Sequence, residues 1–240
     1  MSYDSGKMVL KNVSLSLKPG EILGLAGETG SGKTSTVSLL ARLYPYQEGV
    51  ITIDGTPIED LDRDWMRSQI GFVSQDVVIF KGSIRENLKM GIDKDDATLL
   101  EASVSTGLLE RLKSTGRNLD TLVYQHGANL SAGEIQLLSL TRIMVSNPRI
   151  LIMDEATANI DPELEELVHN AIHKVFDGRT SLIIAHRLTT LKNCDRICVF
   201  KSGNIAELGT HNELIAKKGY YHSLIQKSQG SRTTDKSTLD

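Results

Sequence analysis

Only two cysteines occur among the 240 residues, Cys194 and Cys198. They lie close together in one apparent strand and its approach, and such a pair builds neither a disulfide framework nor a zinc ligand set. A reducing compartment is the default for a chain of this kind. Basic residues are not in surplus either: 27 Lys and Arg face 30 Asp and Glu, a formal net charge of -3. The chain therefore lacks the overall positive field that draws nucleic acid or anionic lipid. Long apolar runs are also missing. No window approaches the roughly 20 apolar residues that span a bilayer, and the N-terminus has no apolar signal-peptide core, so by itself this chain is not expected to cross a membrane. There is no internal repeat. What remains, at 40% hydrophobic and 24% charged residues, is the composition of a globular chain large enough for one core or two lobes.

Against this ordinary background one stretch stands out. Gly27-Glu28-Thr29-Gly30-Ser31-Gly32-Lys33-Thr34 fits G-x-x-x-x-G-K-[ST] at every fixed position. The spacing predicts a buried strand before it, Glu21 to Ala26, and a helix after it from Thr34 to Leu43, with Val37, Leu39, Leu40 and Leu43 as its apolar positions. That is the strand, loop and helix context the motif requires. Glycines let successive backbone N–H groups turn inward around a phosphate, and the helix N-terminus places its partial positive charge behind them. In such a loop Gly27, Thr29, Gly30, Ser31, Gly32 and Ser35 surround the phosphates of ATP. Lys33 reaches the β- and γ-phosphates, and Thr34 offers its hydroxyl to Mg2+.

Along the chain, alternation at Val13, Leu15 and Leu17 predicts a half-exposed strand over residues 9–17, closed by Lys18-Pro19-Gly20. Val50 to Asp54 reads as a short strand with Asp54-Gly55 as a hairpin turn, and Ile70 to Val73 as another strand. From Val77 to about Val145 the pattern is helical, strongest at Ala97 to Ser105, Leu108 to Leu112 and Ser131 to Met144. The β/α pattern then resumes with a strand at Arg149 to Met153, a helix at Pro162 to Val175 and a strand at Ser181 to Ala185. Strands at Arg196 to Phe200 and Asn204 to Glu207, then short helices at Asn212 to Ala216 and Tyr220 to Lys227, complete the fold. Residues 228–240 are polar and aperiodic, the pattern of a disordered tail.

Arg149 to Met153 is an apolar strand that ends in Asp154 and Glu155. A buried strand holds its C-terminal carboxylates rigidly enough for Mg2+ coordination. Asp154 would hold the metal, and Glu155 would polarise the attacking water.

With these residues in place, the chain resembles the nucleotide-binding domain of an ATP-binding cassette transporter of the multidrug-exporter branch, over nearly its whole length from Tyr3 to about Lys227. The most specific feature is Asn129-Leu130-Ser131-Ala132-Gly133-Glu134, similar to the family signature Leu-Ser-Gly-Gly-Gln at a helix start. Read locally, Ser131 with Glu134 is also a capping box. The resemblance implies an α/β fold: a P-loop NTPase core with a mixed sheet, an antiparallel β subdomain and an inserted helical subdomain. It implies an ATPase domain over residues 1–227, with the core at 1–75 and 146–227 and the helical subdomain at 76–145. It implies that Gln75 contacts Mg2+ alongside Thr34 and Asp154, that His186 bonds the γ-phosphate, and that Tyr3 stacks on adenine. Asp161 belongs to the D-loop pattern Ala158-Asn159-Ile160-Asp161. Ser131, Ala132, Gly133 and Glu134 would cap the γ-phosphate held by a second nucleotide-binding domain. The segment Phe80 to Leu88 would face the coupling helices of a membrane domain, which places the chain on the cytoplasmic face of a membrane.

The family normally begins with a further strand before the tyrosine, so the chain resembles a fragment of a longer polypeptide. DNA-repair and chromosome ATPases of the superfamily carry a long coiled coil in the helical region, and none is legible between Gln75 and Ser131; nucleic acid is not an expected partner. The departures are Ala132 for glycine, Glu134 for glutamine, and Gln125 where exporters usually carry glutamate. A Cβ at Ala132 costs about 1–2 kcal/mol if its backbone must be left-handed, and Glu134 brings negative charge toward a triphosphate. A weakened signature beside intact Lys33, Asp154, Glu155 and His186 leads to the expectation of a non-identical partner.

Overall fold

The computed structural model describes residues 9–74, 76–154, 160–185 and 188–230. In chain order its first elements are β1 (Ile22–Ala26), α1 (Lys33–Leu40), β2 (Thr52–Ile53), β3 (Thr56–Pro57), α2 (Arg63–Gln69) and β4 (Ile70–Val73). Next come β5 (Gly82–Ser83), α3 (Ile84–Lys89), α4 (Asp96–Ser105), α5 (Leu108–Ser114), β6 (Leu122–Val123), α6 (Ala132–Ser146) and β7 (Ile150–Asp154). The chain continues through α7 (Pro162–Phe176), β8 (Thr180–Ile184), α8 (Leu188–Lys192), β9 (Arg196–Lys201), β10 (Asn204–Gly209), α9 (His211–Ala216) and α10 (Tyr220–Gly230). The fold class is α/β, with mixed strand pairing and separate antiparallel strand pairs. The polar tail lies outside the described residues from 231 onward.

Two compact units make up the chain, Met1–Met66 with Leu182–Asp240, and Arg67–Ser181. In the first, β9 runs parallel to β1, pairing Leu23 with Arg196 and Ala26 with Val199, and antiparallel to β10 on its other side. Leu23, Leu25, Ile197, Cys198, Val199 and Phe200 are fully buried. Burial on both faces explains why β1 and β9 read as continuous apolar runs rather than alternating ones. The hairpin of β2 and β3 turns at Asp54 and Gly55, with φ of 49° and 81°. Positive φ at both central residues is what a two-residue turn of matching twist demands, and Asp-Gly supplies it at low cost.

The strand expected over residues 9–17 does not form among the described residues. Its alternation is real: Val13, Leu15 and Leu17 are half-buried between exposed neighbours. What is missing is a ladder. Lys11 donates to Gly203 O at 2.8 Å and Ser16 O accepts from Arg196, so the segment is tied down at single points instead of along a paired strand.

This unit also buries two acids in neutral form. The Cys198 thiol is pushed up to about 12 from an ordinary 9.0, chiefly by burial with the Arg196 charge opposing. Burial raises the Tyr221 phenol to about 12 from 10.0, with a smaller contribution from Cys194. Tyr221 is fully buried and shares a 2.8 Å hydrogen bond with His211 Nδ1. Because each folded-state pKa lies above the unfolded one, the stability these groups contribute is complete below about pH 9 and is lost as pH rises toward 12. Thermal scans from pH 7 to 11 are expected to show a Tm that falls from about pH 9 upward, with a shallower fall in Cys198→Ala.

In the second unit β4 and β7 pair in parallel, Ile70 with Ile150 through Val73 with Met153, while β5 and β6 form an antiparallel pair. Helix α6 is its axis: Leu137, Leu138, Leu140 and Thr141 are buried, and the helix packs against α3, α4, α5, α7 and β4. Two features fix its neighbours. Thr106 and Thr141 hydroxyls meet at 2.7 Å in the interior. Arg142 donates to Asn87 O at 2.7 Å, Asn87 Oδ1 at 2.8 Å and Val78 O at 2.6 Å, while Asn87 Nδ2 donates to Phe80 O. The sequence pattern anticipates α4, α5, α6 and α7 within one or two residues. It misses α2, α3 and α8, which have seven, six and five residues; α5 is as short as α2, but Leu108 and Leu112 mark a buried face on it, whereas α2 buries only Met66.

Candidate functional site

The glycine-rich loop leaves β1 at Gly27 and returns to helical geometry at Lys33. Gly27, Gly30 and Gly32 have φ of 146°, 76° and 114°, all in the region that disfavours side chains. At Gly27 space is as decisive as angle, since a Cβ there would lie 2.5 Å from Phe200 O and 2.7 Å from Ser31 Oγ. Gly27→Ala is therefore expected to cost about 2–3 kcal/mol of stability, measured as a Tm several degrees lower with loss of nucleotide affinity.

Inside the loop Ser31 N donates to Glu28 O at 3.1 Å, and Ser31 O accepts from Gly203 N at 3.0 Å. Lys33 is buried, and its ammonium curls back onto Gly27 O at 2.8 Å and Glu28 O at 3.0 Å. The Ser31 hydroxyl is buried and has no hydrogen-bond partner among the described residues. Helix α1 starts with left-handed Gly32, which has no side chain to cap the first N–H groups. Thr34 is exposed at this end and Ser35 is buried. A hydroxyl without a partner among the described residues, a helix start without an N-cap side chain and a cation turned onto loop carbonyls are features an anionic phosphate would satisfy together. The loop residues fit ATP.

The remaining described site residues lie in the other unit. Asp154 closes β7, half-buried, after three fully buried residues. Asp161 is the N-cap of α7, ahead of Pro162, and its side chain makes no cap bond. Ser131 caps α6: its Oγ accepts from Glu134 N at 3.3 Å, and Glu134 Oε2 accepts from Ser131 N at 3.0 Å. Tyr3, Gln75, Glu155, His186 and the Ala158-Asn159 part of the D-loop lie outside the described residues.

Two readings of the signature change here. Ala132 is the first residue of α6 and has no positive φ, so its Cβ carries no left-handed penalty. Glu134 is almost fully buried; its Oε1 accepts from Arg111 Nε at 2.9 Å and also from Arg117 Nη2. Burial works against the charged form, yet the Ser131 N–H, Arg117 and Arg111 outweigh it and hold the carboxyl below its usual range. Gly133, in turn, has a packing duty that the motif does not reveal: a Cβ there would lie 2.7 Å from Leu164 Cδ1 and 2.8 Å from its Cβ, where α6 meets α7. Sequence reasoning missed Arg111 and Arg117. The available signal was an acid in a phosphate-facing motif, which calls for a cation, but nothing in the spacing says which one.

Comparison with known proteins places this arrangement. The family described as ABC transporter matches residues 10–158, from before the glycine-rich loop to beyond Asp154. The chain belongs to the ABC transporter family. It is an ATPase domain of that family. It is 38% identical over 237 residues to multidrug resistance protein 1 of Entamoeba histolytica, covering 97% of this chain and 18% of that protein. It is 41% identical over 220 residues to ABC transporter B family member 4 of Dictyostelium discoideum, covering 91% of this chain and 29% of the other. Among solved structures it is similar to a bacterial Atm1-family ABC exporter with ATP bound, with a TM-score of 0.86 and 32% identity over 94% of this chain and 40% of that one. The chain thus spans well under half the length of these relatives. No helix among its described residues is long and apolar enough to cross a membrane.

Proposed function

We propose that this ABC domain binds ATP with Mg2+ in its glycine-rich loop, hydrolyses it within a head-to-tail pair of nucleotide-binding domains, and thereby powers export by a membrane domain on whose cytoplasmic face it sits. The observation that carries the reading is the loop itself, with its buried unpartnered Ser31 hydroxyl and its Lys33 ammonium resting on carbonyls. In this reading Lys33 leaves Gly27 O and Glu28 O for the β- and γ-phosphates, and the Thr34 hydroxyl, Asp154 and Gln75 hold the metal. Bound Mg2+ supplies neutralising charge to the triphosphate. Glu155 takes the proton of the attacking water, His186 holds the γ-phosphate, and Tyr3 stacks on the adenine. Gly27, Thr29, Gly30, Ser31, Gly32 and Ser35 shape the phosphate cradle. Ser131 to Glu134 cap the γ-phosphate of the other domain, with Asp161 beside that shared site. The exposed Phe80 and the segment after it face the coupling helices, and the cargo is set by the membrane domain.

The case for a non-identical partner rested on strain at Ala132 and free charge at Glu134. A right-handed Ala132 and a doubly paired Glu134 remove both grounds, and we propose a second nucleotide-binding domain that need not differ from this one. A mixing experiment tests the head-to-tail arrangement. Lys33→Ala and Ser131→Arg chains are each expected to be inactive alone. Mixed in equal amounts they should regain about a quarter of the original ATPase rate, since half the dimers carry one site with an intact loop and an intact signature. No recovery, with dimers present, would contradict the arrangement.

A further inference from the structure

The buried cluster at the start of α6 is built from three charged side chains that the nucleotide loop does not use. Glu134 occupies the third helical position, where a carboxylate already favours the helix dipole. Oε2 is committed to Ser131 N at 3.0 Å, and Oε1 to Arg111 at 2.9 Å and to Arg117. The carboxylate therefore spends its acceptor capacity inside the chain. Arg111 and Arg117 stay partly accessible, at 26% and 20% side-chain exposure against 3% for Glu134. Within this cluster two partly accessible guanidiniums thus face one sequestered carboxylate, and Arg111 also lines a pocket with the exposed Asp161 and Glu163. The same bonds fix Ser131: its Oγ accepts the Glu134 N–H, which leaves the hydroxyl proton to point at an acceptor elsewhere.

Resting on the proposed role of the signature in trans, we infer that Arg111 and Arg117 are positioning residues for it. By drawing Glu134 into the capping box and outweighing its charge, they make a glutamate-containing signature able to close on the γ-phosphate held by a second domain. Released from either guanidinium, the carboxylate would stand as an anion at the point where an anionic group must dock, and the Ser131 hydroxyl would lose its fixed direction.

The test is ATP-dependent dimerisation of the 240-residue chain, in a Glu155→Gln background so that nucleotide persists, by sedimentation with Mg2+ and ATP. Arg111→Gln and Arg117→Gln are each expected to weaken the dimer on the order of tenfold, and the pair more. ATP affinity of the monomer, set by Lys33 and its loop in the other unit, should change less than about twofold, well below one tenfold step. Adding Glu134→Gln should restore dimerisation, because no anion is then left to neutralise. A purely structural cluster behaves differently: Tm falls, but the dimer constant measured well below Tm does not move. That result, or a failure of Glu134→Gln to rescue, overturns the inference. If the double variant does not fold, Arg117→Gln alone and the charge-keeping Arg117→Lys decide: equal dimer constants for both would also overturn it. Should the background chain itself fail to dimerise with ATP while binding it, the trans reading falls first, and the inference with it.

Discussion

Lys33→Ala is expected to abolish measurable ATP binding at micromolar nucleotide while leaving the fold in place. In the absence of phosphate the ammonium donates to Gly27 O at 2.8 Å and Glu28 O at 3.0 Å, neutral carbonyls of its own loop. Carbonyls do not require a full positive charge, whereas a triphosphate does, so the loss is expected to be felt most in nucleotide binding. A cation aimed at two phosphates contributes more than a neutral hydrogen bond, about 1.5–3 kcal/mol or more, so affinity falls by at least tenfold to a hundredfold. Thr34→Ala should weaken binding less, and only in the presence of Mg2+. Calorimetry with and without Mg2+ measures both. Unchanged affinity in Lys33→Ala would mean that the loop does not cradle a triphosphate.

Glu155→Gln is expected to slow hydrolysis by about 10²–10⁴ while ATP still binds. The substitution keeps size and hydrogen-bonding capacity and removes only basicity. The residue directly follows β7, whose preceding positions are locked in register with β4 from Ile70↔Ile150 to Val73↔Met153. Single-turnover hydrolysis beside equilibrium ATP binding separates the two effects. Turnover near that of the unaltered chain would take Glu155 out of the role of general base.

What the sequence makes legible follows from how local each signal is. The glycine-rich loop is read from eight consecutive residues because its chemistry is local: positive φ at Gly27, Gly30 and Gly32 and one lysine. Helices α4, α6 and α7 declare themselves because ten to fifteen residues give several turns of period. The short α2, α3 and α8 do not. Residues 9–17 show why alternation is insufficient evidence for a strand: it reports which face is wet, not whether a partner supplies hydrogen bonds. The signature exposes a second limit. The departure from glycine at Ala132 carries a cost only if the backbone there is left-handed, and that angle is set by the helix it begins. Glu134 reads from the sequence as negative charge near a triphosphate because Arg111 and Arg117 arrive from α5 and the turn after it, 23 and 17 residues upstream. No local pattern connects them. Gly133 fits the motif, but the contact that requires a glycine there is with Leu164 on α7.

The central claim is that two such domains share each ATP, loop from one and signature from the other. It is tested most directly by the ATPase rate per chain as a function of protein concentration, at saturating Mg2+ and ATP. The account predicts a specific activity that rises with concentration and levels off once dimers saturate. That rise should be absent in Lys33→Ala, and in Arg111→Gln/Arg117→Gln it should be displaced to higher concentration. A specific activity that stays constant down to the lowest concentration, while still depending on Lys33, would show a complete site within one chain and would contradict it.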